Sequence, residues 1–333
     1  MESQPLVSII TPSYNQADFL RYTLRSVLEQ DYPAIEYIVV DGGSNDGSRE
    51  IIQEYSPELA WWVSEKDSGQ AEAIHKGMVR ARGEIVAWLN SDDIYLPGTV
   101  SGAVNAFRAN PHTNMVFGDA ITIDAQGRPL NTLIFQDWGL VDLLSFRIIC
   151  QPAVFMRQWV YENSGGLDKN YHFMLDHFLW IHIARSGPIQ HVPSFWAAAR
   201  QHASAKNVAH APGFGMETLR ILDWIMEQPD LEGLFEQNHR KILAGAYRLN
   251  ARYLLDGNQP RSALKSYWKA LTNDPRYTLR HWHRIVFAML SLIGAQGTES
   301  WFRRYQEKRR PVLAAKSFQG WPGLCLEGGQ ELS

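Results

Sequence analysis

The chain has 333 residues, of which 45% are apolar and 20% charged, and its formal net charge at pH 7 is −3. This composition is ordinary for a globular protein and lacks the low hydrophobicity and high charge of disordered chains. The slightly acidic balance excludes attraction of the whole protein to nucleic acid, and the two distant cysteines, Cys150 and Cys325, exclude a disulfide framework or a zinc spacing.

The first 90 residues predict strands that alternate with helices. Short β-branched runs predict buried strands at residues 6–10, 37–40, 59–63 and 85–89. Segments with apolar side chains at helical spacing separate them, at residues 18–30, 48–55 and 70–81. Nearly all-apolar strands that alternate with helices predict an α/β fold with a mostly parallel, Rossmann-like sheet covered on both faces.

The pattern changes after about residue 115. A hairpin turning at residues 125–127 is predicted over residues 116–119 and 121–135, a further strand at residues 154–156 and a helix at residues 175–186. Strand signals end near residue 205, and helices are predicted over residues 216–226, 234–256, 260–273 and 278–293. We therefore predict two domains, an α/β domain over residues 1–210 and an all-helical domain over residues 211–333.

One local repeat unit is visible in the helical domain. Small and large residues follow the register of a tetratricopeptide helix pair at Tyr247, Ala251, Leu254, Ala263, Tyr267, Ala270 and Pro275. A single unit cannot bury its own face, so it would pack on neighbouring helices. Two ordinary packed helices would produce the same pattern, and both interpretations stay open.

Chemically useful side chains follow three of the predicted strands. They are Thr11, Pro12 and Tyr14 after the first strand, Asp41 after the second, and Asp92 and Asp93 after the fourth. Ligands of open parallel sheets bind at the carboxyl ends of the strands. An aromatic ring and three carboxylates are therefore predicted to meet at one edge of the sheet.

The adjacent pair Asp92 and Asp93 suggests a metal site. Two neighbouring carboxylates repel each other unless a cation or hydrogen-bond donors offset them. Mg²⁺ is usually held by one or two carboxylates together with substrate phosphates. The alternative is that Asp93 caps a following helix. Convergence at the sheet edge favours the metal, with Asp93 as the principal ligand and Asp92 beside it.

Asp41 has two interpretations. Its carboxylate would accept the imide N–H of a pyrimidine base, with the ring of Tyr14 or Pro12 packed on that base. Alternatively, Asp41 bonds its own turn, because the following Gly42, Gly43 and Ser44 are turn formers.

Residues 5–93 resemble the nucleotide-binding half of the family 2 inverting glycosyltransferases, which have the A-type fold. The stretches that carry the resemblance are VSIITPSYN at 7–15, VVDGGSNDGS at 39–48 and NSDD at 90–93. DSGQAEAIHKG at 67–77 is similar to the subgroup that builds bacterial surface polysaccharides, and it implies a nucleotide contact for Gln70. That subgroup usually has Asn at the position of His75.

The resemblance continues to about residue 205. CQPAVF at 150–155 is similar to the segment that lines the acceptor side, and MLDHFLW at 174–180 to the base-bearing segment. The resemblance implies that Asp176 is the catalytic base, whereas the alternative is a helix cap. It also implies a position near the metal for His202, for which a surface-loop histidine is the alternative. Asp168 in the same segment is assigned to a turn or cap.

The resemblance implies the activity of an inverting glycosyltransferase in surface polysaccharide biosynthesis. A sugar would move from a nucleotide-diphosphate donor, with a UDP-sugar favoured by Asp41, to the hydroxyl of a saccharide or lipid-linked saccharide. Mg²⁺ or Mn²⁺ would stabilise the leaving diphosphate as a Lewis acid, and Asp176 would take the acceptor proton. The residues implied in nucleotide binding are Thr11, Pro12, Tyr14, Asp41, Gln70 and Asp92.

Two other classes of function compete with this one. A sugar nucleotidyltransferase would share the sheet and the carboxylates, but it would need a Gly-rich phosphate loop and a basic residue after the first strand, and residues 11–15 have neither. A non-catalytic scaffold would bind nucleotide in front and recruit partners through the helical tail. The three aspartates Asp92, Asp93 and Asp176 argue against a scaffold.

The ends of the chain bear on localisation. The start lacks the pattern of a secretion signal, and the longest apolar run, at 285–295, is shorter than the roughly 20 residues that span a bilayer. A cytoplasmic protein is predicted. Residues 301–310 combine aromatic and basic side chains, which fits either peripheral contact with the inner face of the cell membrane or a solvated helix end.

Overall fold

The fold is described from a computed structural model, which covers residues 4–202, 205–293 and Phe302. Two compact units divide the chain. The first comprises the residues up to Gly139 together with Ile149–Gln201. The second comprises Leu140–Ile148 and the described residues from His202 onward. The cut after Gln201 lies within ten residues of the sequence-based cut at 210, and the structure adds Leu140–Ile148 to the helical unit.

The first unit contains one mixed sheet and its covering helices. Its strands are β1 (Val7–Ser13), β2 (Ile35–Asp41), β3 (Trp61–Ser64), β4 (Ile85–Trp88), β5 (Ile94–Tyr95), β6 (Met115–Ile123), β7 (Pro129–Leu133), β8 (Val154–Arg157) and β9 (Ile189–Arg200). Its helices are α1 (Ala17–Leu28), α2 (Ser48–Tyr55), α3 (Gln70–Arg80), α4 (Thr99–Ala109), α6 (Gln158–Asn163) and α7 (Leu175–Ser186), while α5 (Leu140–Leu144) belongs to the second unit.

The strand order is β3-β2-β1-β4-β8-β6-β9-β5, and β7 pairs with β6. The chain runs outward from β1 through β2 to β3 and then returns to place β4 on the other side of β1. β1 pairs with β2 over all of Val7–Ser13 but with β4 only over Val7–Ile10. The carboxyl ends of β1 and β4 therefore separate at the point where the strand order reverses, which is where open α/β sheets bind ligands.

The predicted parallel sheet is correct for one half of the molecule. β1 to β4 are parallel, as their alternation with helices predicted. β8 then runs antiparallel to β4 and to β6, so the second half is mixed. The sequence patterns missed α4 and the 12-residue strand β9. β9 contains Pro193, and its pairing with β6 shifts register near Asp119, so it has no clean two-residue period.

The core of the first unit packs the sheet against helices α1 and α4. Leu20, Leu24 and Val27 of α1 are fully buried in the same cluster as Val100 and Val104 of α4. Helical spacing of these residues places them on one face of each helix. This packing fixes the strand ends that carry the polar residues.

The second unit is helical in its described part. Its helices after α5 are α8 (Lys206–Ala209), α9 (Ala211–Met226), α10 (Glu232–Asp256), α11 (Pro260–Asn273), α12 (Pro275–Leu279) and α13 (Trp282–Leu292). The single helix predicted over 278–293 is wrong, because two helices, α12 and α13, are separated there by Arg280 and His281.

The predicted repeat residues lie at helix contacts. Ala251 of α10 and Tyr267 of α11 are buried with Ile285 of α13, and Ala263 of α11 is buried with Ala288 of α13. The helix pair therefore packs on a neighbouring helix, as a single unit must. Tetratricopeptide character stays a prediction.

No helix in the described part of the chain is long and apolar enough to cross a membrane. The basic and aromatic end predicted at 301–310 lies outside the described residues except for Phe302.

Candidate active site

The acidic turn after β4 has one buried and one half-buried carboxylate. Asp93 is 6% exposed, and both of its carboxylate oxygens are bonded inside the protein. Oδ1 accepts from the Arg200 backbone N–H at 2.9 Å, and Oδ2 accepts from Asn90 Nδ2 at 3.3 Å. Burial, and then the charge of Asp92, raise the pKa of Asp93 well above its ordinary range. Asp92 is only half-buried.

This arrangement bears on the roles of metal ligand and helix cap that the sequence suggested for Asp92 and Asp93. Helix α4 begins at Thr99 with Gly98 as its N-cap, so Asp93 does not cap it. Asp93 instead fixes the turn, and Asp92 is the more accessible carboxylate. The assignment of Asp93 as the principal metal ligand, with Asp92 beside it, stays a prediction, and the hydrogen bonds to both oxygens of Asp93 favour the more exposed Asp92.

The carboxylates of the acidic turn fit a metal ion that takes most of its ligands from water and from substrate phosphates. The described part of the chain has no group of three or more His, Cys, Asp or Glu side chains that could hold a metal by itself. Mg²⁺ retains water and is commonly held by one or two carboxylates and substrate phosphates. The accessible carboxylate of Asp92 at a strand end fits that mode of binding.

Arg200, the last residue of β9, clamps the acidic turn. Its Nε donates to the Asp92 carbonyl at 2.9 Å, and its Nη1 donates to the carbonyls of Asp124 and Ala125 at 3.1 and 3.2 Å. Its guanidinium carbon lies 5.0 Å from the centre of the Phe19 ring. One buried side chain thus joins the acidic turn to the β6–β7 connection. Sequence reasoning did not assign Arg200 a role.

Replacing Arg200 with lysine is expected to lower the free energy of unfolding by about 1.5–3 kcal/mol, because a single ammonium cannot reproduce the charged hydrogen bonds of the guanidinium. Metal-dependent ligand binding should weaken with it. Urea unfolding and a metal titration would measure both effects. Arg128→Lys is the control, because Arg128 is exposed and pairs only locally with Asp124 and Gln126. Equal stability of the two variants would contradict the clamp.

A chain of amides joins α3 to the acidic turn. Gln70 Nε2 donates to Asn90 Oδ1 at 2.7 Å, and Asn90 Nδ2 also donates to Gln151 Oε1 at 3.1 Å. Gln151 Nε2 in turn donates to the Trp88 carbonyl at 2.8 Å. The predicted nucleotide-binding residue Gln70 therefore lies at the same edge as the acidic turn. Asn90 and Gln151 support that edge, which the sequence motif alone did not reveal.

Asp41 is fully buried at the end of β2, and its own loop together with Ser64 of β3 supplies its hydrogen bonds. Its oxygens accept from the Gly43 and Ser44 backbone N–H groups at 3.1 and 2.9 Å and from the Ser44 and Ser64 hydroxyls at 2.5 and 2.7 Å. These contacts match the turn interpretation. They favour it over a carboxylate presented to a base, and the base contact of Asp41 stays a prediction.

Asp67 is a carboxylate that sequence reasoning passed over. It follows β3 and accepts from the Gly69 N–H at 2.9 Å. A Cβ added to Gly42 would lie 2.8 Å from Asp67 Oδ2, so the loops after β2 and β3 touch here. Asp67 is half-buried, and burial raises its pKa. Its position after a parallel strand was the available signal.

The residues after and within β1 differ in access. Tyr14 is 63% exposed directly beyond the strand. Thr11 is fully buried, and its hydroxyl bonds the Tyr37 hydroxyl at 2.9 Å. Pro12 is buried in register with Val40. Both side chains pack within the sheet, and the ligand contacts predicted for Thr11 and Pro12 stay predictions.

Asp176 lies in the first turn of α7, one residue after its start. Met174 is the N-cap, so the cap interpretation of Asp176 is not what the structure has. Trp180, four residues on and hence on the same helix face, stacks on Trp88 of β4 with 5.2 Å between ring centroids. This stack of two buried rings anchors α7 beside the strand that ends in the acidic turn.

The pKa of the Cys150 thiol depends on two of these carboxylates, those of Asp93 and Asp176. Burial raises the pKa of the Cys150 thiol, and the charges of Asp93 and Asp176 raise it further. Asp93 and Asp176 therefore both act electrostatically on the half-buried Cys150, just before Gln151, although they are more than 80 positions apart in sequence.

The remaining predicted residues fall outside this group. His202 opens the second unit, so its predicted place beside a metal stays a prediction. Asp168 accepts from the Asn170 N–H and side-chain amide, each at 2.8 Å, in an exposed turn as expected.

Known proteins resemble the chain in sequence over its front part. Residues 8–158 match the family described as Glycosyl transferase family 2. TuaG of Bacillus subtilis (strain 168), named as a teichuronic acid biosynthesis glycosyltransferase, is 46% identical over 93 residues, which cover 27% of this chain and 37% of TuaG. An uncharacterized glycosyltransferase of Nostoc sp. is 34% identical over 155 residues, which cover 44% of this chain and 48% of the relative. The chain thus spans less than half the length of these relatives.

Solved structures resemble the chain over most of its length. The crystal structure of S. aureus TarS 1–349 has a TM-score of 0.59 at 18% identity and covers 91% of this chain and 90% of that one. Mannosyltransferase PcManGT from Pyrobaculum calidifontis, in complex with GDP-Man and Mn²⁺, has a TM-score of 0.59 at 18% identity, covering 92% and 86%. This likeness concerns the fold, and it confirms the predicted A-type architecture with a helical C-terminal region. In sequence, residues 8–158 are thus similar to glycosyl transferase family 2, and in fold the chain is similar to these solved glycosyltransferase structures.

Proposed function

We propose that this protein is a metal-dependent inverting glycosyltransferase that uses a nucleotide-sugar donor. The observation that carries the proposal is that Asp67 and Asp92 follow parallel strands of one sheet at their carboxyl ends, while Asp176 lies on α7, which packs on β4. The Trp88–Trp180 stack makes that last contact. Carboxylates that differ in exposure, at the edge where the strand order of the sheet reverses, suit separate roles in metal binding and proton transfer.

The donor base lies in this proposal between the loops after β1, β2 and β3. The exposed ring of Tyr14 packs on the base, and Asp67 accepts its N–H. Asp41 acts indirectly, by holding the loop that borders this space. A pyrimidine with an imide N–H, hence a UDP-sugar, fits an acceptor carboxylate best. TarS has also been solved with UDP-GlcNAc, and that structure has a TM-score of 0.56.

The diphosphate lies beside the acidic turn in this proposal, with Gln70 near it. Asp92 holds Mg²⁺ or Mn²⁺, which as a Lewis acid stabilises the charge that develops on the leaving diphosphate. Asp93 keeps the turn in shape, and His202 stays a candidate for a further ligand.

Asp176 is the proposed catalytic base. The acceptor hydroxyl attacks the anomeric carbon from the face opposite the diphosphate, the bond from that carbon to the phosphate oxygen breaks, and the hydroxyl proton passes to the Asp176 carboxylate. One base suffices for inversion, and no covalent enzyme intermediate forms. Asp176 is half-buried, which keeps it reachable by the acceptor and limits water around it.

The acceptor proposed is a saccharide or lipid-linked saccharide in the synthesis of a bacterial surface polysaccharide. The name of TuaG supports this class of product. A reaction at the inner face of the cell membrane, with the protein in peripheral contact, agrees with such an acceptor.

A thermal-shift screen tests the donor site. UDP, GDP, dTDP and their sugar conjugates are each added with Mg²⁺, Mn²⁺ or EDTA. A ligand at 100 times its Kd adds about 2.7 kcal/mol of stability, which is readily seen in Tm. We expect the largest shift from a uridine nucleotide with metal. If no nucleotide shifts Tm with any metal, the donor-site proposal fails.

A further inference from the structure

Basic side chains surround Tyr277 in the helical unit. In sequence, Tyr277 lies far from the residues of the candidate active site. The guanidinium carbons of Arg248 and Arg147 lie 5.7 and 6.0 Å from the centre of the Tyr277 ring. The ring of His281 meets the same ring edge-on at 6.0 Å. Three basic groups from α10, from the segment after α5 and from the start of α13 therefore face one phenol ring.

Arg248 is the buried member of this group. It is 9% exposed, and its Nη2 donates to the Phe146 carbonyl at 3.1 Å. Its Nε is buried without a hydrogen-bond partner, and no carboxylate of the described residues forms an ion pair with it. A guanidinium cannot lose its charge in a protein, and buried charges are normally paired. The buried positive charge of Arg248 is therefore not balanced by an ion pair with a carboxylate of the described residues.

Positive charge exceeds negative charge around Arg248. Arg252 and Arg284 share one carboxylate, Asp256, at 3.6 and 2.8 Å. Arg147 and Lys241 likewise share Asp142, at 3.5 and 2.9 Å. Asp274 adds a third carboxylate, which accepts the backbone N–H of Tyr277 at 2.9 Å. Five cations thus face three carboxylates among the described residues of this cluster.

Two further groups respond to this excess of charge. Burial, and then Arg248 and its basic neighbours, lower the pKa of His281 to about 3. The hydroxyl of Tyr267 is buried without a hydrogen-bond partner, and the charges of Arg284 and Arg248 reach it. The cluster thus contains unpaired donors as well as unbalanced charge.

We propose that this cluster binds a phosphate group. Phosphate carries up to two charges and has several acceptor oxygens, which suit the planar fork of arginine and the nearby hydroxyl. Arg248 is the buried member of the cluster. The side chains of Arg147 and Arg252 are 31% and 45% exposed, so that a phosphate could reach them from solvent. The phosphate is carried either by a free ion or by an anionic lipid headgroup. This second ligand site is independent of the proposed donor site.

Calorimetric titration of the full chain with inorganic phosphate, in EDTA, tests the proposal. Saturable binding at one site is expected. Arg248→Met should weaken it at least tenfold and Arg147→Gln several-fold, whereas Arg261→Gln, an exposed arginine on α11, should not change it. Asp92→Asn should also retain phosphate binding, which separates this site from the donor site. Should Arg248→Met not fold, the Arg147→Gln titration decides.

Vesicles distinguish the two phosphate sources. Binding to phosphatidylglycerol vesicles but not to phosphatidylcholine vesicles, with competition by inorganic phosphate, would identify a headgroup. Phosphate binding without vesicle binding would identify a free ion. Absence of saturable phosphate binding by the wild type, or equal affinity in folded Arg248→Met, would overturn the proposal.

Discussion

Asp176→Asn is expected to lower kcat by about 10²–10⁴-fold, the range for loss of a positioned general base. The amide keeps the size of the side chain but cannot take the acceptor proton. Asp176 is half-buried and does not cap α7, so the fold should tolerate the change. Donor binding, measured by the metal-dependent Tm shift, should be unchanged, because the nucleotide contacts lie elsewhere.

Asp168→Asn is the matched control for Asp176→Asn. Asp168 lies eight positions earlier in the chain and accepts from Asn170 in an exposed turn. It should keep its activity. If Asp176→Asn retained wild-type kcat with an unchanged Tm, Asp176 would not be the base, and the scaffold interpretation would gain support.

Asp92→Asn is expected to remove metal-dependent donor binding and to lower kcat/KM by about 10²–10³-fold, which corresponds to roughly 2.7–4 kcal/mol of transition-state stabilisation. Asp92 is the accessible carboxylate of the acidic turn, whereas both oxygens of Asp93 accept hydrogen bonds from the protein. The Asp92 backbone carbonyl, which Arg200 holds, is retained in the variant. Stability without ligand should therefore change little.

Metal titration of nucleotide binding would measure the effect of Asp92→Asn, and Asp18→Asn, on the exposed surface of α1, is the control. The same titration on Asp93→Asn separates the two aspartates. That variant should lose stability in urea, because the carboxylate accepts two buried hydrogen bonds. Metal-dependent binding that survives Asp92→Asn but not a well-folded Asp93→Asn would restore Asp93 as the ligand.

Sequence patterns identified the front half of the fold well. Apolar β-branched runs separated by amphipathic helices predicted β1, β2, β3 and β4 and their parallel direction. The convergence of the strand ends followed from topology alone, since the carboxyl ends of parallel strands share one edge. Local signals were sufficient here because each strand is short and mostly apolar.

The same signals were insufficient for the roles of individual carboxylates. Asp41, Asp67, Asp92 and Asp93 all follow strands, and nothing in their spacing distinguishes buried from accessible side chains. The partner that occupies Asp93 is the backbone of Arg200, 107 positions away. That pairing depends on β9, whose irregular register with β6 hides it from any periodic pattern.

The sequence by itself determined the strand–helix alternation, the edge at which acidic residues gather and the family that residues 8–158 resemble. Only the tertiary structure decided that Asp41 and Asp93 are buried and hydrogen-bonded within the protein, while Asp67 and Asp92 are half-buried. It also brought α7 to β4 through the Trp88–Trp180 stack and gathered basic residues around Tyr277. The physical reason is that burial and hydrogen-bond partnership are set by contacts between distant segments, whereas periodicity records only the environment of each segment.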